Sequence, residues 1–260
     1  MEAEQTELGF DPFGFQPEFL KYVLPVTAWL YRHYFRVEAR GLERVPDQGS
    51  VLLVSNHSGQ IPIDGLMIGT GLLVDREVPR MARSMVERWV PTIPFVSYVL
   101  ARCGQVVGTR ENCRLLLNRG ASVLVFPEGV AGIGKTYDRA YELQPFGLGF
   151  MRLALETDTP IVPISVVGTE EQMPAIANSE KLAKLLGSPG FPITPTWPFL
   201  GPLGAIPLPV KIHIDVGEPM HFEGSPDDED RIVDRKVERV RGRIREMIHE
   251  GLRRRRGVFF

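Results

Sequence analysis

Several features that mark particular protein classes are scarce in this chain of 260 residues. The two cysteines, Cys103 and Cys113, form neither a CxxC motif nor a disulfide framework, which favours a reducing compartment. The formal net charge is −2, which gives no general attraction to nucleic acid, and we predict no nucleic-acid partner. The five histidines lack the spacing of metal ligands, so we expect neither a metal site nor a bound cofactor.

Long hydrophobic runs are also missing. No uncharged stretch reaches the 18 residues that a transmembrane helix needs, so we predict no membrane span. The opening MEAEQTELGFDPFG is acidic, whereas a secretory signal is basic and then apolar, so we expect no signal peptide. With 43% hydrophobic and 24% charged residues, the chain has the composition of one large globular domain.

Apolar runs of strand length alternate with segments of helical periodicity after residue 36. This alternation predicts an α/β fold: a single domain with a mostly parallel central sheet flanked by helices. The last predicted strand, 210–217, alternates apolar and polar residues, which favours an edge of the sheet. The predicted strands are 50–55, 80–85, 104–108, 122–126, 160–168 and 210–217, and the predicted helices are 64–74, 94–103, 111–120 and 147–157.

Two flanking segments complete the predicted organisation around a central domain at 37–224. Residues 1–36 comprise an acidic tail and an aromatic, amphipathic helix interrupted by Pro25. That helix either packs on the core or lies in a membrane interface, where tryptophan and tyrosine are common. Residues 225–260 form a helix that we expect to begin at Ser225-Pro226, followed by a basic tail.

One stretch interrupts the alternation. Residues 188–209 hold seven prolines among large apolar side chains, so they form neither a central strand nor an ordinary helix. The segment is either a stiff surface loop packed on the core or an apolar lip over a lipid site.

The stretch NHSGQIPIDG at 56–65 carries the strongest chemical signal, because it follows a predicted buried strand. Ligands bind at the carboxyl ends of strands in α/β sheets. His57 has small neighbours there, and Asp64 is close enough in sequence to hold its imidazole as a general base. FPEG at 126–129 follows another predicted strand, so we expect the two loops to meet at one pocket.

Basic residues near these loops are candidates for binding phosphate. Arg110 lies between a predicted strand and a predicted helix, where a guanidinium and helix N-terminal amides can hold a phosphate together. Lys135 and Arg139 follow the FPEG turn and offer the same chemistry. For each of the three, a surface ion pair is the alternative.

Four blocks taken in order, NHSGQIPID, GQVVGTR, VFPEG and PIVPISVVG, resemble the sequence blocks of the glycerolipid acyltransferase superfamily. The resemblance covers roughly residues 50–220 and implies glycerol-3-phosphate, lysophosphatidate or lysophospholipid acylation, or a related monoacylglycerol acyltransferase-like activity. It implies that His57 is the general base and Asp64 its orienting carboxylate. It further assigns Arg110 to the acceptor phosphate and Glu128 and Gly129 to acceptor binding, and it matches Pro163, also expected to bind substrate, to the proline of the fourth block.

The chain departs from the family pattern at two places. The pattern has four residues between histidine and aspartate, whereas six separate His57 from Asp64; either the loop bulges and the pair still forms, or the pairing has changed. The third block continues Val130-Ala131-Gly132 instead of ending in an arginine. That loss favours a neutral acceptor or an atypical branch of the superfamily, or it gives Lys135 the role of binding the phosphate.

Three hypotheses of function follow. The first is an O-acyltransferase that moves a fatty acyl group from acyl-CoA or acyl carrier protein to a lipid hydroxyl at a membrane surface, as a peripheral protein on the cytoplasmic face. The second is a lipid hydrolase or thioesterase that uses the same His–Asp pair on water. The third is a non-catalytic lipid-binding module, in which His57 is dispensable.

Overall fold

The structure is a computed structural model, and it describes residues 9–59, 61–179, 181 and 191–260. Its centre is a sheet of seven strands within those residues, and a two-stranded ribbon lies outside the sheet. The strands are β1 (Glu38–Arg40), β2 (Val51–Ser55), β3 (Ala82–Val86), β4 (Val106–Val107), β5 (Ser122–Val125), β6 (Ile161–Val167), β7 (Ala177–Asn178), β8 (Pro192–Ile193) and β9 (His213–Val216).

The helices lie on both faces of the sheet, as the predicted α/β class requires. They are α1 (Leu20–Trp29), α2 (Ile63–Val74), α3 (Val96–Arg102), α4 (Arg110–Asn118), α5 (Val130–Ile133), α6 (Gly149–Glu156) and α7 (Asp230–Arg254). Within the described part of the chain, no helix is both long enough and apolar enough to cross a membrane.

The sheet has the order β1-β9-β6-β2-β5-β3-β4, and only β6 and β9 pair antiparallel. The predicted α/β fold with a mostly parallel sheet is therefore confirmed. The expected edge position of the last strand is wrong, because β9 lies between β1 and β6. Its alternation reflects two different packed faces: Ile214 packs against one helical layer, while His213 and Asp215 point to the layer that holds α7.

Each face of the sheet has its own hydrophobic core. Leu52 and Val54 of β2 point toward α4, α6 and α7, whereas Val51 and Leu53 point toward α2 and the end of the N-terminal helix. All four side chains are fully buried, which explains why β2 is a continuous apolar run without alternation. The central strand that precedes the His57 loop is thus fixed from both sides.

The C-terminal helix buries the predicted apolar stripe but begins later than its sequence signals indicate. Asp227 and Asp228 stay in a turn, with the Asp227 amide donating to the Ser225 hydroxyl at 3.1 Å, and α7 starts only at Asp230. Ser225 therefore caps a turn and not the helix. The buried stripe consists of Val233, Val237, Val240, Ile244 and Ile248.

The N-terminal helix continues beyond α1 as one π-helical segment, Leu30–Tyr34. Pro25 lies inside α1 and leaves one carbonyl without its helical donor. The part of the proline-rich stretch that the structure describes, 191–209, contains β8 and a short 3₁₀ helix, and residues 188–190 lie outside the described residues. This agrees with the expectation of neither a central strand nor an ordinary helix.

Candidate active site

The loops that carry the predicted site residues meet because their strands are neighbours. β2 and β5 pair in parallel, so the loop after Ser55 and the loop after Val125 emerge side by side. Asn56 directly follows β2, and its side-chain amide makes the hydrogen bonds that a strand backbone would make to β6. Its Oδ1 accepts from Val166 N at 2.8 Å, and its Nδ2 donates to Val166 O at 3.1 Å. This exchange satisfies the β6 ladder while the chain turns away, which places His57 at the carboxyl edge of the sheet.

His57 and Asp64 form a hydrogen-bonded pair despite their unusual spacing. The His57 Nδ1 to Asp64 Oδ2 distance is 2.7 Å, and the Asp64 carboxylate is fully buried. Two backbone amides also donate to Asp64, from Ser58 at 2.9 Å and Gly65 at 2.7 Å. Of the two alternatives left by the sequence, the pair therefore forms.

The position of Asp64 suits a hydrogen-bond acceptor. It lies in the first turn of α2, where backbone amides point toward the carboxylate. Two neighbouring amides, from Ser58 and Gly65, donate to it. A fixed, charged carboxylate can hold one tautomer of the imidazole, with the proton on Nδ1.

The His57 imidazole is held on its face as well as on its edge. Its ring stacks on Phe126 with centroids 4.3 Å apart, and the side chain is 14% exposed. Burial opposes the charged imidazolium, but Asp64, with smaller contributions from Glu128 and Glu87, outweighs burial and raises the pKa of His57. Among the described residues no group bonds Nε2, so that nitrogen is available to a substrate.

Glu128 braces the loop that carries His57. One carboxylate oxygen accepts from the His57 backbone amide at 2.9 Å, and the other accepts from the Gln144 amide at 2.6 Å. The side chain is buried, and burial raises its pKa, while the two amides and the charge of Lys135 lower it in part. The structure thus gives Glu128 a contact with the His57 loop, and its predicted contact with an acceptor remains a prediction.

Gly129 and Gly132 allow the third block to pack against the first. Gly129 has φ 53° and precedes α5, a conformation that disfavours a residue with a side chain. A Cβ atom on Gly132 would lie 2.8 Å from His57 O and 3.0 Å from Glu128 Cβ. Ala131, which occupies the position of the missing arginine, is exposed, so the truncation leaves open surface beside His57.

Lys135 lies near the site but is already engaged. Its ammonium is 2.7 Å from Glu170 Oε1 and 3.0 Å from Glu142 O, and the side chain is 4% exposed. A buried lysine that pairs with a buried glutamate is costly to separate. Lys135 can therefore act on a phosphate mainly through the electrostatic field of its charge. The hypothesis that it replaces the missing arginine gains no geometric support.

Arg110 is the candidate that the structure does not bring to the cluster. It begins α4 after β4, the edge strand three places from β2 in the sheet, and it pairs with Glu156 at 2.8 Å. Glu156 is the last residue of α6, the helix that precedes β6. A phosphate at Arg110 would have to displace this ion pair, so its predicted role also remains a prediction. Arg139, similarly, pairs with Glu142 at 3.0 Å.

Pro163 is buried inside the sheet, and its assignment as a substrate-binding residue remains a prediction. Its carbonyl accepts from Gly217 N at 2.8 Å, whereas Ile161 bridges to Met220, so one residue bulges between these two contacts. Proline lacks an amide proton and is tolerated in a sheet at such a bulge. Pro163 is therefore a structural residue of β6, beside Val54 of β2.

Sequence reasoning missed several residues that shape the site. Glu87 follows β3 and lies close to Gly129, and Ser58 forms a buried hydroxyl pair with Thr169 of the loop after β6. Each belongs to a loop at the same sheet edge, which is the one signal that could have indicated it. Across the described residues, no group of three or more His, Cys, Asp and Glu side chains is arranged to hold a metal ion.

Comparison with known proteins agrees with this geometry. A family model described as Acyltransferase matches residues 36–167. An uncharacterized protein of Mycobacterium tuberculosis is 36% identical over 255 residues, which cover 96% of this chain and 71% of that protein. The 1-acyl-sn-glycerol-3-phosphate acyltransferase alpha of Mus musculus is 30% identical over 142 residues, or 52% of this chain and 46% of the mouse protein.

The fold has a counterpart among solved structures. The crystal structure of the 1-acyl-sn-glycerophosphate acyltransferase PlsC from Thermotoga maritima superimposes with a TM-score of 0.56 at 19% identity, covering 91% of this chain and 82% of that one. At 19% identity the structural similarity establishes only the fold, whereas the match to the family model establishes membership of the family. The chain belongs to the glycerolipid acyltransferase superfamily and is an acyltransferase enzyme.

Proposed function

We propose that the enzyme transfers a fatty acyl group from an acyl-CoA or acyl carrier protein thioester to a hydroxyl of a glycerolipid or lysophospholipid, with His57 as the general base. The observation that carries the proposal is the His57 Nδ1 to Asp64 Oδ2 contact of 2.7 Å. It leaves Nε2 unbonded by the described residues and facing the position that a substrate would take.

The reaction follows from these groups. Nε2 of neutral His57 takes the proton of the acceptor hydroxyl while the hydroxyl oxygen attacks the thioester carbonyl, and the bond to sulfur then breaks. Asp64 stabilises the imidazolium that forms, and base catalysis of this kind contributes about 10²- to 10⁴-fold. A thiol leaves readily because its pKa is about 8.5, so little acid assistance is needed. Glu128 keeps the His57 backbone in place throughout.

The acceptor class is part of the proposal. The third block lacks its arginine, Lys135 pairs with Glu170, and Arg110 pairs with Glu156. The cationic side chains that were predicted to bind phosphate are therefore already engaged in ion pairs. This pattern favours an acceptor without phosphate next to its reacting hydroxyl, such as a monoacylglycerol.

We also propose that the protein acts as a peripheral membrane protein on the cytoplasmic face. Tyr22, Val26 and Trp29 are exposed on one face of α1, at helical spacing. Phe19 connects α1 to α3 through an edge-to-face contact with Tyr98, centroids 6.5 Å apart. We call the exposed residues of the two helices the apolar surface: Tyr22, Val26, Trp29, Phe95, Val96, Tyr98 and Val99. Exposed aromatic and aliphatic groups of this kind insert into a lipid interface.

The test measures thiol release from long-chain acyl-CoA, with acyl carrier protein as an alternative donor. Wild type, His57→Ala and the control His249→Ala, an exposed histidine on α7, are each assayed with glycerol 3-phosphate, lysophosphatidate, lysophospholipids and monoacylglycerol. We expect release that requires one acceptor and is lost in His57→Ala alone. Thiol release without an acceptor would show that the enzyme hydrolyses the thioester instead of transferring the acyl group. Full activity of His57→Ala would show that His57 is not the general base.

A further inference from the structure

A basic cleft lies where α7 ends over the outer strands β1 and β9. It has a volume of about 440 Å³. We call it the basic cleft, and its cationic side chains are Arg40, Lys211, Arg254, Arg255 and Arg256. Glu38 and His213 complete its polar lining. The cleft includes no residue of the His57 site.

The charges in the cleft are not balanced. Glu38 pairs with Arg40 at 2.6 Å and with Lys211 at 3.4 Å. Asp215 accepts two hydrogen bonds from Arg254, and Glu171 accepts one from Arg255. Five cations are therefore matched by three carboxylates, which leaves an excess of two positive charges.

Arg256 supplies part of that excess, because none of the described residues forms an ion pair with it. It lines the cleft directly after the last turn of α7.

A second observation concerns the buried histidine of the cleft. His213 is 4% exposed and lines the cleft, yet neither ring nitrogen has a hydrogen-bond partner among the described residues. The nearest carboxylate, Glu38, is 3.8 Å away. A buried polar group is normally paired, so the single N–H of the neutral imidazole lacks an acceptor, which an oxygen of an anion bound in the cleft would supply.

The cleft opens at the same sheet edge as His57. His213 is in register with Val167, the last residue of β6, and β9 lies two places from β2 in the sheet. Two strand spacings correspond to about 10 Å. The two sites are also connected: the hydroxyl of Tyr141 contacts Glu171 and Gly168, and the same loop carries Thr169, which bonds Ser58 beside His57.

We propose that the basic cleft binds phosphate esters, and that they are the phosphates of a coenzyme A thioester donor. The inference rests on the proposed acyl transfer. A phosphate on the acceptor is only two carbons from the reacting hydroxyl and would not reach across two strands. Coenzyme A instead carries its phosphates at the far end of a long flexible arm from the thioester, so an anion site apart from the base suits the donor. A phospholipid headgroup is the other source of the same chemistry.

The experiment measures binding without turnover. Isothermal titration gives the Kd of coenzyme A for wild type, the double variant Lys211→Ala/Arg256→Ala, and His57→Ala. The control is Arg253→Ala, an exposed arginine one helical position before Arg254 that does not line the cleft. Co-sedimentation with vesicles of phosphatidylcholine, with and without phosphatidic acid, tests the headgroup in parallel. Thermal unfolding confirms that each variant is folded.

We expect the double variant to bind coenzyme A about tenfold more weakly, since it loses two charged donors, and the two single variants to bind like wild type. If the double variant loses binding only to vesicles that contain phosphatidic acid, the cleft binds the phosphate of a lipid headgroup and not that of coenzyme A. Unchanged binding of both probes by the double variant would overturn the inference. Weakened coenzyme A binding in a protein that acylates no acceptor would uphold the cleft and refute the proposed function.

Discussion

Asp64 decides in which pH range His57 can act. Asp64 raises the pKa of His57 above its ordinary value of about 6.5, and a general base must be neutral. Activity should therefore fall as the pH decreases through this raised pKa.

We expect Asp64→Asn to lower kcat by about 10³-fold, because the imidazolium loses its counter-charge and the tautomer is no longer fixed. The acidic limb of the pH–rate profile should also move to lower pH, since the coulombic support for the charged imidazole is gone. Initial rates between acid and alkaline pH measure both effects. A variant that keeps the wild-type limb would show that Asp64 does not control the titration of His57.

At the scale of elements, α5 packs closely against the loop that carries the proposed base, His57. Gly132→Ala would place a methyl group 2.8 Å from His57 O and 3.0 Å from its Cβ, so the loop must shift. A displacement of this kind costs about 10- to 100-fold in rate.

The matched control for that variant is Gly134→Ala, whose Cβ would meet its nearest neighbour, Val130 O, at an ordinary 3.4 Å. We expect kcat to fall in the first variant and to stay within about twofold in the second. Steady-state kinetics with circular dichroism separate a moved loop from an unfolded protein. Equal activity of the two variants would mean that the loop absorbs the methyl group without moving His57.

The elements also show what the sequence could reveal. Buried strands such as β2 and the polar residues that follow them are local patterns, and from these the α/β class was predicted correctly. The same patterns indicated that the loops after β2 and β5 would meet, and the two strands are neighbours. Strand order was not predictable, because β9 takes its place between β1 and β6 through pairing between distant segments. The contacts of Asn56 and Glu128 were not predictable for the same reason, because their hydrogen-bond partners are 110 and 71 residues away in the sequence.

Spacing alone was ambiguous where the chain is irregular. Six residues between His57 and Asp64 departed from the family pattern, and only the structure shows that Asp64 lies in the first turn of α2 and still bonds His57. The early signals of a helix start at Ser225 were likewise misleading, because the same residue types cap turns.

At the scale of the whole molecule, the apolar surface predicts how the enzyme reaches lipid. We expect Tyr22→Ser/Trp29→Ser to reduce partitioning onto phospholipid vesicles by roughly 100-fold or more, since each aromatic side chain contributes roughly 1.5–3 kcal/mol when buried and about 1.4 kcal/mol is a factor of ten. Sedimentation of the protein with vesicles measures the partition coefficient.

The control for the vesicle measurement is Val78→Ser, an exposed apolar residue in the loop before β3, at the opposite edge of the sheet. It should leave partitioning unchanged. Equal partitioning of wild type and the double variant would show that α1 does not contact the membrane, and a drop in Val78→Ser would place the contact elsewhere.

The pairing of β1 with β9 has a consequence for how the chain folds. Glu38 lies beside His213 in the finished sheet, so one of the first strands to be synthesised has no neighbour until most of the chain has been made. Contacts of such sequence separation raise the contact order and slow folding, because a long loop must close before the pairing is rewarded. On the ribosome, β1 would wait as an unpaired strand edge exposed to association. Its shortness, and the charges of Glu38 and Arg40 along it, are the kind of features that protect such an edge while it waits.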